Sequence, residues 1–166
     1  MRSVTMEELS VEKFLPFGSY AKLIDPNTER IGSSPIEFFR DMLQQSLGST
    51  TDLSFSVCRV AKRDLVIDNT EYHNYTGEGI LPLDNDVLIY VAPATPPNTG
   101  VPLDKIKVFR VPKGTMVVLR PGVWHYAPFA INDSPVNVLI VLPERTYVND
   151  CVIIEIPQAD QIAIDM

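Results

Sequence analysis

The sequence predicts a single-domain, all-β barrel with one short N-terminal helix, and three observations carry that expectation. Apolar runs of strand length, at 86–92, 106–111, 115–119, 136–142 and 151–156, are rich in Val and Ile and bounded by Pro, Gly, Asn or Asp. Leu53, Phe55 and Val57 alternate with Ser54, Ser56 and Cys58, which is the period of a strand. Fourteen prolines and eight glycines supply many turns, as a sandwich or barrel requires and a helix bundle does not. At 166 residues, 45% hydrophobic and 21% charged, the chain reads as one globular domain, 1–166, with a substantial core.

Residues 1–50 read as an N-terminal arm and helix, and 51–166 as the barrel. In the arm, Leu9, Val11, Phe14, Phe17, Tyr20, Leu23 and Ile24 mix with the breakers Pro16, Gly18 and Pro26, which suggests a short strand packed on the domain. The helix is expected to follow. Ser34-Pro35-Ile36-Glu37 has the form of a capping box with proline at the first helical position. Ile36, Phe39, Leu43 and Leu47 then recur at helical spacing, and Gly48 supplies the stop. The proline-rich stretch 92–102 reads as an extended surface loop.

The net charge is −7 and the sequence pI about 4.7. Nucleic acid and anionic membrane surfaces need a basic face, so neither is an expected partner. Cys58 and Cys151 are the only cysteines, too few for a disulfide framework, and buried free thiols are expected. No charged-then-apolar leader and no long apolar run occur, so a cytoplasmic protein is expected.

Two segments can carry chemistry. In Glu71-Tyr72-His73-Asn74-Tyr75-Thr76-Gly77-Glu78, strand geometry points Glu71 and His73 to one face, and Glu78 can return after a turn. In Arg120-Pro121-Gly122-Val123-Trp124-His125, Pro-Gly makes a turn and His125 opens the next strand. Each of these residues alone also fits a plain structural role. Together, Glu71, His73, Glu78 and His125 include both histidines of the chain. They form a mixed N/O donor set suited to a divalent first-row metal: Mn, Fe, Ni, Co or Zn. Arg59 ends the 53–58 alternation. Turned inward it makes a fork for a substrate carboxylate; turned outward it is an exposed strand end. Tyr75 and Trp124 flank the histidines as substrate contacts or as barrel packing.

The spacing Glu71-x-His73-x4-Glu78 resembles the first metal motif of the cupins, with glutamate in place of the usual first histidine. Gly122-x2-His125 resembles the second. This implies a cupin-like β-barrel, a double-stranded β-helix. More narrowly, the chain is similar to the ureidoglycolate lyase family. Leu9-Ser10-x-Glu12-x-Phe14-x-Pro16-Phe17-Gly18, Arg59, Glu71-x-His73 with Gly77, Glu78 and Leu81-Pro82, Val123-Trp124-His125 with Pro128-Phe129, and Asn149-Asp150-Cys151 carry the likeness. It departs at Glu78, where the family often has glutamine.

The resemblance implies a lyase that splits ureidoglycolate into glyoxylate and urea, a step of allantoin degradation in purine catabolism. A metal on Glu71, His73, Glu78 and His125 would take the substrate's carboxylate and hydroxyl. Glu78 or Glu71 would accept the hydroxyl proton, and Arg59 would pin the carboxylate. Glu71, Glu78 and His125 are then the catalytic candidates, and Arg59, Tyr75 and Trp124 the substrate-binding ones. A small hydroxy acid is the expected ligand and a homodimer the expected assembly. The same donor set serves an isomerase, epimerase or oxygenase acting on a sugar or small hydroxy acid, and a barrel that only binds a small ligand remains the third alternative.

Overall fold

The computed structural model describes residues 2–48, 52–96 and 98–166. The elements run β1 (Arg2–Glu8), α1 (Val11–Phe14), β2 (Gly18–Lys22), β3 (Ile31–Ser33), β4 (Ile36–Phe38), β5 (Leu53–Val60), β6 (Val66–Ile67), β7 (Asn69–Tyr72), β8 (Glu78–Pro82) and β9 (Val87–Val91). They continue with a 3₁₀ turn at Leu103–Lys105, β10 (Lys107–Val111), β11 (Thr115–Leu119), β12 (Phe129–Ala130), β13 (Val136–Pro143), α2 (Thr146–Asn149), β14 (Val152–Glu155) and β15 (Ile162–Asp165). Each apolar run expected from the sequence forms a strand within a residue or so of its expected limits.

Two sheets face each other. The six-stranded sheet has the order β12-β9-β10-β1-β15-β6, and the five-stranded sheet β2-β11-β8-β13-β5. A β7–β14 pair closes one end of the barrel. The inner core lies between the main sheets, where Phe14, Phe17 and Phe109 pack with ring centroids 5.4 to 6.1 Å apart, Phe14 edge-on to Phe109. A second core covers the outer face of the six-stranded sheet, around Tyr90, Trp124, Ile156 and Ile162. β9 shows why this sheet tolerates unbroken apolar runs. Val87, Ile89 and Val91 enter the inner core, while Leu88 and Tyr90 enter the outer one. A strand buried on both faces has no reason to alternate.

The N-terminal arm is more than a strand laid on the surface. β1 runs parallel to both β10 and β15 and sits between them in the six-stranded sheet. The expected helix from Ser34 to Leu47 does not form. Ile36–Phe38 pairs with Ile31–Ser33 as a hairpin, with a cis Ser34–Pro35 bond at its turn. Glu37, cast as a capping residue, instead bonds Arg30 across the hairpin at 2.6 Å. Asp41 has φ 54°, outside the helical region. Beyond it the barrel claims the polar groups that a helix would need. Ser46 O accepts from Gly77 N at 2.8 Å, and Gln45 Nε2 donates to Gly77 O and Val141 O at 3.0 and 2.8 Å. The helices that do form in the described residues are the single turns α1 and α2. α1 is capped by Ser10, whose hydroxyl accepts from Lys13 N at 3.2 Å.

The facing of β5, which its alternation leaves open, is set by the fold. Leu53, Phe55 and Val57 are exposed, at 40%, 67% and 59%, while Ser54, Ser56 and Cys58 turn toward the barrel. No helix among the described residues is long and apolar enough to cross a membrane.

Candidate functional site

Strand pairing brings the two motif segments together. Glu71, on β7, forms an isolated antiparallel bridge with His125: Glu71 N donates to His125 O at 2.6 Å, and His125 N donates to Glu71 O at 2.9 Å. The Pro121-Gly122 turn makes this possible, since Gly122 sits at φ 80° where only glycine is unstrained. Gly122 N also donates to His73 O at 2.7 Å, which ties this turn to the end of β7. Glu78 opens β8 just past Gly77. A side chain at Gly77 would lie 2.6 Å from Leu119 O, so the close approach of β8 to β11 requires glycine there.

The result is a four-residue cluster. One ligand atom from each of Glu71, His73, Glu78 and His125 lies within 4.8 Å of the others. His73, Glu78 and His125 are buried, and Glu71 is half-buried. Nε2 of His73 and Nε2 of His125 face the same oxygen, Glu78 Oε2, at 3.1 and 2.8 Å. Glu71 Oε1 is 3.9 Å from His125 Nε2, and its other oxygen accepts from Cys151 Sγ at 3.3 Å. Each imidazole is also held from behind. His73 Nδ1 donates to Asp150 O at 2.6 Å, and His125 Nδ1 donates to Val123 O at 2.8 Å.

The electrostatics follow from these contacts. Burial opposes charge on His125, but the facing carboxylates of Glu78 and Glu71 outweigh it and raise its pKa to about 9. Burial likewise opposes charge on Glu78. The His125 charge and the hydrogen bonds from both histidines win, and its pKa falls to about 2. The cluster is therefore an ion pair held in the barrel interior. Its chemistry fits a metal: with both Nδ1 atoms committed to backbone carbonyls, both Nε2 atoms face one point beside two carboxylates. A cation there would take the place of the His125 Nε2 proton.

Glu71 and Glu78 open into a cleft of about 280 Å³. Its other walls are Cys58 from β5, Tyr126 and Pro128 from the segment after His125, Ile140 from β13 and Tyr147 from α2. Arg63 steadies the 127–128 wall by donating to Ala127 O at 2.8 Å, with its guanidinium 3.9 Å from the Phe129 ring centre. No Lys or Arg is among the described residues lining the cleft.

The substrate-binding candidates are not brought here. Arg59 is exposed, because the two-residue period of β5 puts it on the face of Phe55 and Val57 and not that of Cys58. Trp124 turns into the outer core, 4.4 Å from the Tyr72 ring centre, with Nε1 donating to Thr95 Oγ1 at 3.0 Å. Tyr75 is 71% exposed and borders a separate cleft with Arg145 and Asn149. Tyr126, which the sequence places beside the histidines as packing, lines the cleft; the residues to which sequence reasoning gave no site role are Cys58 and Tyr147 in the cleft and Asp150 and Cys151 behind the cluster. The one signal was the Asn149-Asp150-Cys151 stretch, which shares the family likeness.

The chain matches the ureidoglycolate lyase family over residues 1–163. It belongs to that family. The family is one of enzymes, and the fold is the all-β cupin type. A dTDP sugar isomerase from Desulfovibrio desulfuricans is 16% identical and has a TM-score of 0.52, over 86% of this chain and 87% of that one. An oxalate decarboxylase from Lactobacillus farciminis is 13% identical with a TM-score of 0.43, over 75% of this chain and 32% of the other. A dTDP-4-dehydrorhamnose 3,5-epimerase from Sulfolobus tokodaii is 19% identical with a TM-score of 0.39, over 69% and 66%. No curated protein matches the sequence.

Proposed function

We propose that this family member cleaves ureidoglycolate to glyoxylate and urea, using a divalent first-row metal held by Glu71, His73, Glu78 and His125. The observation that carries the reading is the convergence of these four donors, with both imidazoles braced through Nδ1, in a chain of the ureidoglycolate lyase family.

When bound, the metal supplies the positive charge that holds the substrate's carboxylate and hydroxyl oxygens and lowers the hydroxyl pKa. The cleft makes that charge necessary: it has two carboxylates, no lining Lys or Arg among the described residues, and Arg59 faces away. An anionic substrate would otherwise meet only repulsion. Glu71 is the base that takes the hydroxyl proton. Glu78 is committed to both histidines, whereas Glu71 is less buried and has no histidine within hydrogen-bond reach. Pro128 and Ile140 make the apolar part of the wall, which keeps water from the breaking C–N bond.

We also propose an assembly and a compartment. The assembly is a homodimer, formed through the exposed apolar face of β5, the edge strand of its sheet. Light scattering should give twice the 18.6 kDa chain mass. The compartment is the cytoplasm, which suits the free thiols of Cys58 and Cys151.

The test is direct. Protein loaded separately with Mn, Fe, Ni, Co or Zn is given ureidoglycolate, and urea and glyoxylate are assayed. Equal release of both, lost with chelator, is expected; no release with any metal ends the lyase reading.

A further inference from the structure

Lyase cleavage needs two proton movements, one off the substrate hydroxyl and one onto the departing ureido nitrogen. Glu71 accounts for the first. The ligand set leaves the second unassigned, because each histidine commits both ring nitrogens: His73 to Asp150 O and Glu78, His125 to Val123 O and Glu78. Two phenols line the cleft, Tyr126 and Tyr147. Tyr126 packs against the outer core. Tyr147 belongs to α2, entered through Arg145 in the left-handed region at φ 63°. It is 59% exposed yet borders the same cleft as Glu71 and Glu78, the position of a side chain at the mouth.

Residues 143–151 hold that position from several sides. Thr146 Oγ1 donates to Pro143 O at 2.8 Å, and Asp150 N donates to Thr146 O at 2.8 Å. The Asp150 carboxylate accepts from Asn74 N and Tyr75 N at 2.7 and 2.8 Å. Asp150 O braces His73, and Cys151 bonds Glu71. The segment that carries Tyr147 is thus bound to two of the proposed ligands.

We propose that Tyr147 is the proton donor to the leaving ureido nitrogen. This rests on the lyase reading. Glu71 removes the hydroxyl proton and the carbonyl C=O forms. The C–N bond breaks, and its electron pair goes to the nitrogen, which takes the Tyr147 phenol proton and leaves as urea. The proton on Glu71 then passes to the Tyr147 phenolate, which restores both groups with no oxidant or reductant. Glu71, Glu78 and Cys58 share the cleft with the phenol, and none of them is cationic. Burial and then the two carboxylates push its pKa up to about 12 in the metal-free protein, and an ordinary phenol already keeps its proton in the neutral range.

The test compares Tyr147→Phe and Tyr126→Phe with the wild-type holoenzyme in urea release. For Tyr147→Phe, kcat is expected to fall by roughly 10²- to 10⁴-fold, with KM within about threefold and metal content and melting temperature unchanged. Tyr126→Phe, at the other phenol of the cleft, should cost kcat at least tenfold less than Tyr147→Phe. A Tyr147→Phe enzyme with normal kcat, one that only raises KM, or a loss confined to Tyr126→Phe overturns the assignment while the lyase reading survives. Wild-type protein that releases no urea from ureidoglycolate overturns both.

Discussion

The site is built by two regions of opposite kind. The ligand wall, from β7, the start of β8 and the turn before His125, is buried, and its imidazoles are hydrogen-bonded on both nitrogens. The covering segment 143–151 is exposed at Tyr147 and Val148, 59% and 84%, and reaches the site only by its far end and one side chain. The wall is where desolvation makes charge expensive, so every partner matters there. The segment works by placement: it orients His73 and Glu71 and presents a phenol, at little cost to the core. Changes in the wall should therefore cost the most in fold and metal, and changes in the segment should cost function first, with smaller losses of stability and affinity.

The largest expected effect is Glu78→Ala. It removes the common acceptor of both histidines and strands them in the interior, so stability should drop on the order of 3–5 kcal/mol in urea melts. Metal content by elemental analysis should vanish with it. Full metal occupancy in this variant would show that Glu78 is not part of the ligand wall.

The pH dependence of the metal-free protein comes next. The pKa of His125 rises from 6.5 to about 9 on folding, so its contribution is complete below 6.5 and is lost as pH rises through 9. That of Glu78 falls from 4.5 to about 2, so its contribution is complete above 4.5 and is lost as pH falls toward 2. Melting temperature should peak between 4.5 and 6.5 and decline on both sides. Bound metal would take the place of the His125 Nε2 proton, so the alkaline decline should flatten in the loaded protein.

Asp150→Ala probes the covering segment. It removes the acceptors of Asn74 N and Tyr75 N, at a cost of about 1–3 kcal/mol, and loosens the carbonyl behind His73. Metal affinity by titration should weaken by about 10- to 100-fold. The smallest effect belongs to Arg59→Ala. It leaves the cleft untouched, so KM for ureidoglycolate should stay within about twofold and stability within about 0.5 kcal/mol. A large rise in KM would mean that Arg59 reaches a site across the proposed dimer.

The strands were legible because apolar runs bounded by turn residues have few alternative uses. β10 and β11 lie almost where the sequence places them. The cluster was legible too, because period two puts Glu71 and His73 on one face and a Pro-Gly turn is a local device. The helix at 34–47 was misread, since good helical spacing there competes with partners the sequence does not show: the Arg30–Glu37 bond and the barrel's hold on Gln45 and Ser46. Alternation in β5 revealed a strand but not its facing, because apolar residues can face a partner as well as a core.

The amino-acid sequence by itself determined the barrel class and the four donors, since both rest on spacing along a few residues. The tertiary structure alone decided the rest. It set which face of β5 looks inward, and so removed Arg59 from the cleft. It brought residues 143–151 behind His73 and Glu71, more than seventy positions away in the chain. Long-range pairing of this kind depends on which sheets close on one another, and no local periodicity encodes that. The histidines carry their own signature; the residues that brace and complete their site do not.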